Sequence, residues 1–187
     1  MEKPFLMSVE DVFPLHPGRP VMPTGRIERG RVRRGDEVEL IGFGSNLVAR
    51  VTGIDVNRLP VEEARASMNV GLLLRGTDVG AAERGQVLAT AGSIEAHGVF
   101  TADITVLPED QGGAEVLTGE RLHFSLRAAA VWGAVALAQG TDALRPLHRA
   151  AVTVTLERPV ALEEGQSFPF RHHGRAAGTG TVSRLPR

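Results

Sequence analysis

The residues that most narrowly limit the chemistry of this 187-residue chain are lysine and cysteine. Lys3 is the only lysine, and the sequence contains no cysteine. A phosphate-binding P-loop needs a Gly-Lys-Ser/Thr motif, because its lysine reaches the outer phosphates of the nucleotide. The sequence therefore excludes a P-loop nucleotidase, a thiolate nucleophile, disulfides and cysteine-ligated metals, and it leaves Lys3 as the only lysine for a Schiff base.

Two pairs of adjacent polar residues have the side chains for acid–base or metal chemistry. They are Glu10 with Asp11, and His172 with His173. Successive side chains of a strand point to opposite faces, so we expect the members of each pair to diverge. No third ligand stands at a recognisable spacing from the two histidines. The sequence therefore predicts no catalytic carboxylate pair, no metal site and no cofactor.

The remaining cluster of side chains that could bind a ligand consists of arginines. The cluster consists of Arg29, Arg31, Arg33 and Arg34, with Glu28 directly before it and Asp36, Glu37 and Glu39 soon after it. Because acidic residues stand on both sides of the arginines, a solvated face whose charges pair with one another is the default interpretation, and a phosphate contact stays open. The net charge of the whole chain is −1, so any nucleic-acid contact is expected to be local.

The arginine cluster lies in Thr24–Ile41, TGRIERGRVRRGDEVELI, the stretch with the clearest structural pattern. Gly30 and Gly35 offer the positive φ that tight turns need. The apolar residues Ile27, Val32, Val38 and Leu40 alternate with polar ones in the segments before, between and after these turns. This pattern predicts antiparallel hairpins with one buried face.

Similar short strands, at roughly 10-residue spacing, recur on both sides of a linker at Ala91–Ser93, which predicts two small all-β domains. We place them at residues 1–92 and 93–187. Ala128–Ala138 is compatible with a helix or a strand; a strand is preferred because its neighbours are strands, and Trp132 is expected in the core. A helical turn is expected at Val61–Arg65, and an edge strand or a bulge between Pro20 and Pro23.

Targeting signals are not evident in the sequence. Its longest apolar run, Ala128–Ala138, is shorter than the roughly 20 residues that a membrane helix needs. Acidic residues stand near the start, where a signal peptide would be basic. The absence of cysteine also fits a reducing compartment, so we expect a cytoplasmic protein without membrane contact.

Several segments occur in the order found in the second and third domains of elongation factor Tu, which the chain resembles nearly end to end. They are Lys3–Leu6, Val9–Phe13, Thr24–Gly30, Gly35–Val38, Asn69–Gly76, Glu83–Ala89, Gly92–His97, Gly112-Gly113, Pro159–Gly165 and Gly174–Gly180. The resemblance implies two six-stranded antiparallel β-barrels, a translation-factor barrel followed by the C-terminal barrel of that factor. It also implies a preceding GTP-binding domain, which these 187 residues do not contain. Whether the chain is a natural half-length protein or a fragment stays open.

The resemblance also implies a pocket in the first barrel for the aminoacylated 3′ end of transfer RNA. The matching residues are Glu10, Phe13, Leu15, Met22, Thr24, Asp55, Arg58, Asn69 and Leu73. Asp55 replaces a glutamate of the family, Asn57 replaces an aromatic residue, and Pro20 and Pro23 border the segment before Thr24. In the second barrel only Arg175 matches an arginine that contacts the transfer-RNA T-stem, because Glu115 follows Gly112-Gly113 where the family has basic residues.

Two function hypotheses follow. The first is a non-catalytic, translation-factor-like module that retains contact with aminoacyl-tRNA or the ribosome. The alternative is a protein-interaction module that docks on a separate GTPase domain, associates with itself through an exposed face, or acts as a decoy of elongation factor Tu. An enzyme is not expected, because the catalysis of the family resides in the GTP-binding domain.

Overall fold

A computed structural model describes residues 2–14, 21–76 and 82–186, and nearly all of its regular structure is β-strand. The chain divides into two compact units, the first ending at Glu95 and the second beginning at Ala96. The boundary lies three residues after the one expected from the linker. No helix among the described residues is long and apolar enough to cross a membrane.

The first unit is a six-stranded antiparallel barrel with additional short strands. Its strands are β1 (Leu6–Ser8), β2 (Asp11–Pro14), β3 (Val21–Arg29), β4 (Arg31–Arg33), β5 (Glu37–Gly42), β6 (Ser45–Val56), β7 (Leu59–Val61), β8 (Glu63–Arg65), β9 (Asn69–Arg75) and β10 (Val87–Ala89). The order β1-β10-β5-β6-β9-β3 closes because β3 also pairs with β1. Strand β2 extends the sheet beside β3, β7 pairs with β6, and β4 pairs with β8.

The second unit is a closed barrel with the strand order β11-β16-β14-β13-β17-β18. Its strands are β11 (Glu95–Val106), β12 (Val116–Leu117), β13 (Arg121–Leu126), β14 (Ala129–Ala136), β15 (Ala143–Leu144), β16 (Arg149–Leu162), β17 (Ser167–His172) and β18 (Arg175–Arg184). One turn of 3₁₀ helix covers Glu109–Gln111, and β12 pairs with β15 outside the barrel. The prediction of two six-stranded antiparallel barrels is confirmed.

Each barrel has its own apolar core. In the first, the inward positions of alternating strands, such as Ile27, Leu40 and Leu72, are fully buried. In the second, the rings of Phe100 and Phe124 each pack against Phe168 with centroids 5.9 Å apart. A Cβ added to Gly180 would come within 2.5 Å of the Phe168 ring, so the glycine makes room for that aromatic core.

The turns and the buried face predicted for Thr24–Ile41 are present, but the predicted hairpins are wrong. Gly30 and Gly35 have φ of 74° and 97°. Near its end β3 already has β1 on one side and β9 on the other, since Ile27 pairs with Met7 and Arg26 with Asn69. Both edges of β3 are occupied, so β4 turns away at Gly30 and pairs with β8 instead.

Three further expectations in these regions have clear outcomes. The strand interpretation of Ala128–Ala138 is confirmed by β14. The helical turn expected at Val61–Arg65 is wrong, because this segment forms the end of β7 and all of β8. Pro23 does not lie on an edge strand, since β3 pairs with both β2 and β9; the β3–β9 register simply omits Met22 and Pro23.

The arginines around Gly30 form a self-paired polar surface. Arg31 and Arg33 both contact the Glu63 carboxylate, at 3.5 and 3.4 Å, and Arg34 lies 3.5 Å from Glu62. The acidic partners therefore include Glu62 and Glu63 of the β7–β8 region and also Glu2, whose carboxylate lies 3.0 Å from Arg31. Asp36, close by in sequence, accepts a hydrogen bond from the Arg33 backbone N–H at 2.8 Å. The default interpretation of a paired, solvated face describes these residues.

Candidate functional site

A pocket of about 340 Å³ lies on the first barrel, where β3, β9 and β6 run side by side. Its lining residues are Glu10, Met22, Thr24, Gly25, Asp55, Asn57, Arg58, Asn69, Val70 and Gly71. Thr24 and Asp55 each pair with Gly71, one from each neighbouring strand. Directly paired residues present their side chains on the same face of a sheet. Thr24 and Asp55 therefore flank a position that has no side chain.

Gly71 makes the floor of the pocket flat. A Cβ at this position would come within 2.8 Å of the Met22 sulfur, so Met22 extends over the glycine. Asn69 precedes Gly71 by two residues on β9, which places it on the same face. The floor thus combines a thioether, bare backbone and an amide group.

Arg58 reaches the pocket from the two-residue loop between β6 and β7. Val56 pairs with Leu59, and the loop residues Asn57 and Arg58 have φ of 52° and 66°. Two consecutive residues at positive φ are typical of a type I′ hairpin turn. Within the described part of the chain, the guanidinium of Arg58 forms no ion pair, so it is available to a ligand.

The pocket is bordered by a second depression of about 280 Å³, with Glu10 lining both. The second depression is otherwise lined by Ser8, Arg26, Ile27, Glu28 and Ser67. Glu10 is exposed and directly precedes β2. The Glu10 carboxylate is therefore common to both depressions.

Six of the nine residues suggested by the resemblance line the same pocket. These six are Glu10, Met22, Thr24, Asp55, Arg58 and Asn69. Phe13 pairs with Met22 and is 47% exposed, while Leu73 packs over Gly53, and neither lines the pocket itself. Leu15 lies outside the described residues.

The remaining lining residues were not selected from the sequence. Gly71 could have been found, because Asn69 and Leu73 flank it at the two-residue period of a strand. Gly25 shows no such signal: its need for glycine comes from Ser8, whose carbonyl oxygen would lie 1.8 Å from an added Cβ.

The T-stem candidate Arg175 is exposed at the start of β18, opposite His172. Glu115 is also exposed and follows the Gly112-Gly113 pair. A cation and an anion therefore occupy the two segments at which the resemblance implies phosphate contacts. Arg175 lines neither of the two depressions of the first barrel described above.

The expectation that His172 and His173 diverge is wrong. Their rings stack with centroids 4.0 Å apart. His172 ends β17 and pairs with Arg175, so His173 and Gly174 form a two-residue loop with φ of 52° and 75°. The alternation of side chains along a strand does not apply to a residue in such a turn. The turn places the His173 ring against the His172 ring.

Glu120 lies beside the two histidines. Its carboxylate contacts Nε2 of His172 and accepts a 2.8 Å hydrogen bond from the Leu117 N–H. Burial raises the pKa of Glu120, but the Leu117 and His172 hydrogen bonds outweigh it, so the pKa lies below its usual value. The carboxylate is therefore held in its charged form.

Trp132 was expected in the core, and this is wrong, since 42% of it is exposed. Val131, Gly133 and Val135 take the inward positions of β14, which leaves Trp132 facing outward. The Arg121 guanidinium lies 4.3 Å from the indole centroid, and the His123 ring lies at 4.6 Å.

Comparison with known families accounts for both barrels. Residues 21–89 match the model of elongation factor Tu domain 2, and residues 93–185 match that of the elongation factor Tu C-terminal domain. The two matches follow one another in the order of that factor and correspond to the two barrels. The chain therefore belongs to the elongation factor Tu family, of which it carries the second and the C-terminal domain.

Proposed function

We propose that this chain is a non-catalytic, translation-factor-like binding module whose first barrel holds the aminoacylated 3′ end of a transfer RNA. The observation that carries the proposal is the convergence of six resemblance-derived residues on one pocket. The catalysis of the family belongs to its GTP-binding domain, so binding is the function that these two barrels supply. Such a role belongs in the cytoplasm.

The floor of the pocket suits the terminal adenine. Met22 offers a flat, polarisable thioether, and the absence of a side chain at Gly71 lets a planar base approach the sheet. Phe13 stands beside Met22 with half of its surface exposed. Stacking a base on an apolar platform is worth about 1–3 kcal/mol, so a small contact area suffices for measurable binding.

The carboxylates of the pocket favour aminoacylated transfer RNA over the same transfer RNA without its amino acid. Glu10 and Asp55 place two carboxylates around the pocket, which attract the protonated α-amino group of an aminoacyl ester. An uncharged 3′ end lacks this cation and presents hydroxyl groups alone. Arg58, on its exposed turn, is suited to a backbone phosphate of the terminal nucleotides.

The proposal is tested by titrating aminoacyl-tRNA and the same uncharged tRNA into the protein at low salt. We expect binding of the charged form in the micromolar range and at least about tenfold weaker binding of the uncharged form. Arg58→Gly should weaken both, since it removes a phosphate contact, while the resulting Asn-Gly sequence is a preferred type I′ turn and preserves the hairpin.

Arg34→Gln is the matched control, because it removes an exposed arginine of the same barrel outside the pocket. Equal losses in Arg58→Gly and Arg34→Gln would indicate general electrostatic attraction and contradict pocket binding. If no binding is detected up to tens of micromolar aminoacyl-tRNA, the proposed binding of transfer RNA is wrong.

A second candidate function, protein interaction, is favoured by Trp132. An exposed tryptophan flanked by Arg121 and His123 has the composition of an interface hot spot. Sedimentation velocity of the chain, alone and with a separate translation GTPase domain, checks this alternative. A complex or a dimer that Trp132→Ala abolishes supports it, and a strict monomer under both conditions contradicts it.

A further inference from the structure

We propose that Glu120, His172 and His173 form a binding site for one divalent transition-metal ion of the zinc type in the second barrel. One ligand atom from each of the three residues lies within 4.8 Å of the others. Imidazole nitrogen and carboxylate oxygen are zinc ligands, with bonds of about 2.0–2.2 Å. Because each nitrogen lone pair lies in the plane of its ring, the His173 ring must turn out of its stack on His172 to bind the same ion. Its high exposure leaves room for this rotation.

The carboxylate is oriented toward the imidazoles by the backbone. Its Oε1 accepts the Leu117 N–H at 2.8 Å, which leaves Oε2 facing the histidines. Oε2 contacts Nε2 of His172 and lies 3.9 Å from Nε2 of His173. A single oxygen thus faces the Nε2 atoms of both rings, as an ion between the three groups requires.

The scaffold holds these ligands on paired strands. His172 ends β17, which pairs with both β13 and β18 in the closed barrel, and Glu120 directly precedes β13. His173 is fixed by a two-residue turn whose backbone already has the required positive φ. The ligands therefore come from adjacent elements of one barrel, and little backbone ordering is needed when the ion binds.

The two histidines differ in exposure, which sets how an ion would enter. The side chain of His172 is 5% exposed and that of His173 is 79% exposed. The ion enters from the His173 side, and water completes its coordination there, as in zinc sites with three protein ligands. Imidazole also favours zinc, copper, nickel and cobalt over magnesium and calcium, which prefer oxygen ligands.

Nδ1 of His172 limits the affinity. Among the described residues this buried nitrogen has no hydrogen-bond partner. Metal-ligating histidines usually donate the other ring N–H to an acceptor, and losing that acceptor weakens binding about 10–100-fold. We therefore expect an exchangeable ion with micromolar affinity rather than a permanently bound structural zinc.

Calorimetric titration of the untagged full chain with Zn²⁺, and absorption spectroscopy with Co²⁺, test the proposal. We expect one ion per chain and a rise in melting temperature on adding Zn²⁺, because the ion binds only the folded site. Mg²⁺ at the same concentration should have neither effect.

The variants His173→Asn and Glu120→Gln should each weaken Zn²⁺ binding at least about tenfold. His173→Asn creates an Asn-Gly turn, which keeps the hairpin folded, and far-ultraviolet circular dichroism verifies both variants. His148→Ala, which removes an exposed histidine of the same barrel outside the cluster, should bind as the wild type does.

Either of two results would overturn the site. The first is no Zn²⁺ binding up to about 1 mM, the range of weak affinities. The second is an affinity that His173→Asn leaves unchanged, which would assign the ion to other residues.

Discussion

Arg127 shows how a single residue stabilises the second barrel. Its side chain is 9% exposed, and its guanidinium donates to Glu163 Oε1 at 2.6 Å, Gln166 Oε1 at 2.7 Å and the Ala161 carbonyl at 3.3 Å. Arg127→Met removes these three hydrogen bonds, although Gln166 Oε1 still accepts the Glu163 N–H at 3.2 Å. We expect the free energy of unfolding to fall by about 2 kcal/mol, less than for a fully buried pair because Glu163 stays partly hydrated.

Urea unfolding followed by circular dichroism measures this change. Arg149→Met is the control, since Arg149 is 71% exposed and lies 3.7 Å from Asp103. Exposed pairs contribute little, so its effect should stay within about 0.5 kcal/mol. Equal effects of the two substitutions would contradict the role assigned to Arg127.

The exposed pair of Arg121 and Glu157 gives a pH-dependent prediction at the same scale. Arg121 donates two hydrogen bonds, at 2.7 and 3.0 Å, and these lower the pKa of Glu157. A lowered folded-state pKa contributes stability above the unfolded pKa, and this is lost as pH falls through the folded value. The stability contributed by this pair should therefore be lost as the pH falls below about 4.3, the ordinary pKa of glutamate.

Carbon-detected NMR titration of the Glu157 carboxyl group checks the shift directly. In Arg121→Gln the pKa of Glu157 should rise toward the ordinary glutamate value, because both hydrogen bonds from the guanidinium are lost. A Glu157 pKa that is the same in both proteins would show that Arg121 is not the cause.

At the scale of elements, the candidate pocket depends on the pairing of β9 with β3 and β6. Gly71→Ala places a Cβ 2.8 Å from the Met22 sulfur, and the flexible Met22 side chain must move to accommodate it. We expect about tenfold weaker binding of charged tRNA with a stability loss below about 1 kcal/mol, because the obstructing atom belongs to a flexible side chain. Titration and thermal unfolding measure the two effects.

Gly98→Ala is the matched control for this element. Nothing lies within 4 Å of a Cβ at Gly98, which is in β11 of the other barrel. Its binding of charged tRNA should equal that of the wild type. If Gly71→Ala also binds normally, then the flat floor is not the contact surface for the 3′ end.

At the scale of the whole molecule, the strands of each unit pair with strands of the same unit, and each unit has its own apolar core. No strand ladder described for either barrel uses a strand of the other. Residues 1–95 and 96–187, produced separately, should each unfold in one cooperative transition, as small single domains do. Denaturation monitored by circular dichroism tests this, and a half without a cooperative transition would contradict an independent core.

Much of this architecture was predictable because strand alternation and glycine turns are local properties. The residues Ile27, Val32, Val38 and Leu40 were predicted on one buried face, and each is at most 2% exposed. The resemblance also supplied six pocket residues. Strand partners were not predictable in the same way, because the position of β1 beside β3 depends on residues distant in sequence.

Residue types and their spacing by themselves determined two small all-β domains and the absence of a P-loop, whereas the family and its two six-stranded barrels came from the resemblance of whole segments. The tertiary structure alone decided which side chains meet. Thr24 and Asp55 lie on either side of Gly71 because three strands align in register. Glu120 meets His172 and His173 because a turn and a barrel closure join segments about 50 residues apart, a proximity that no local pattern encodes.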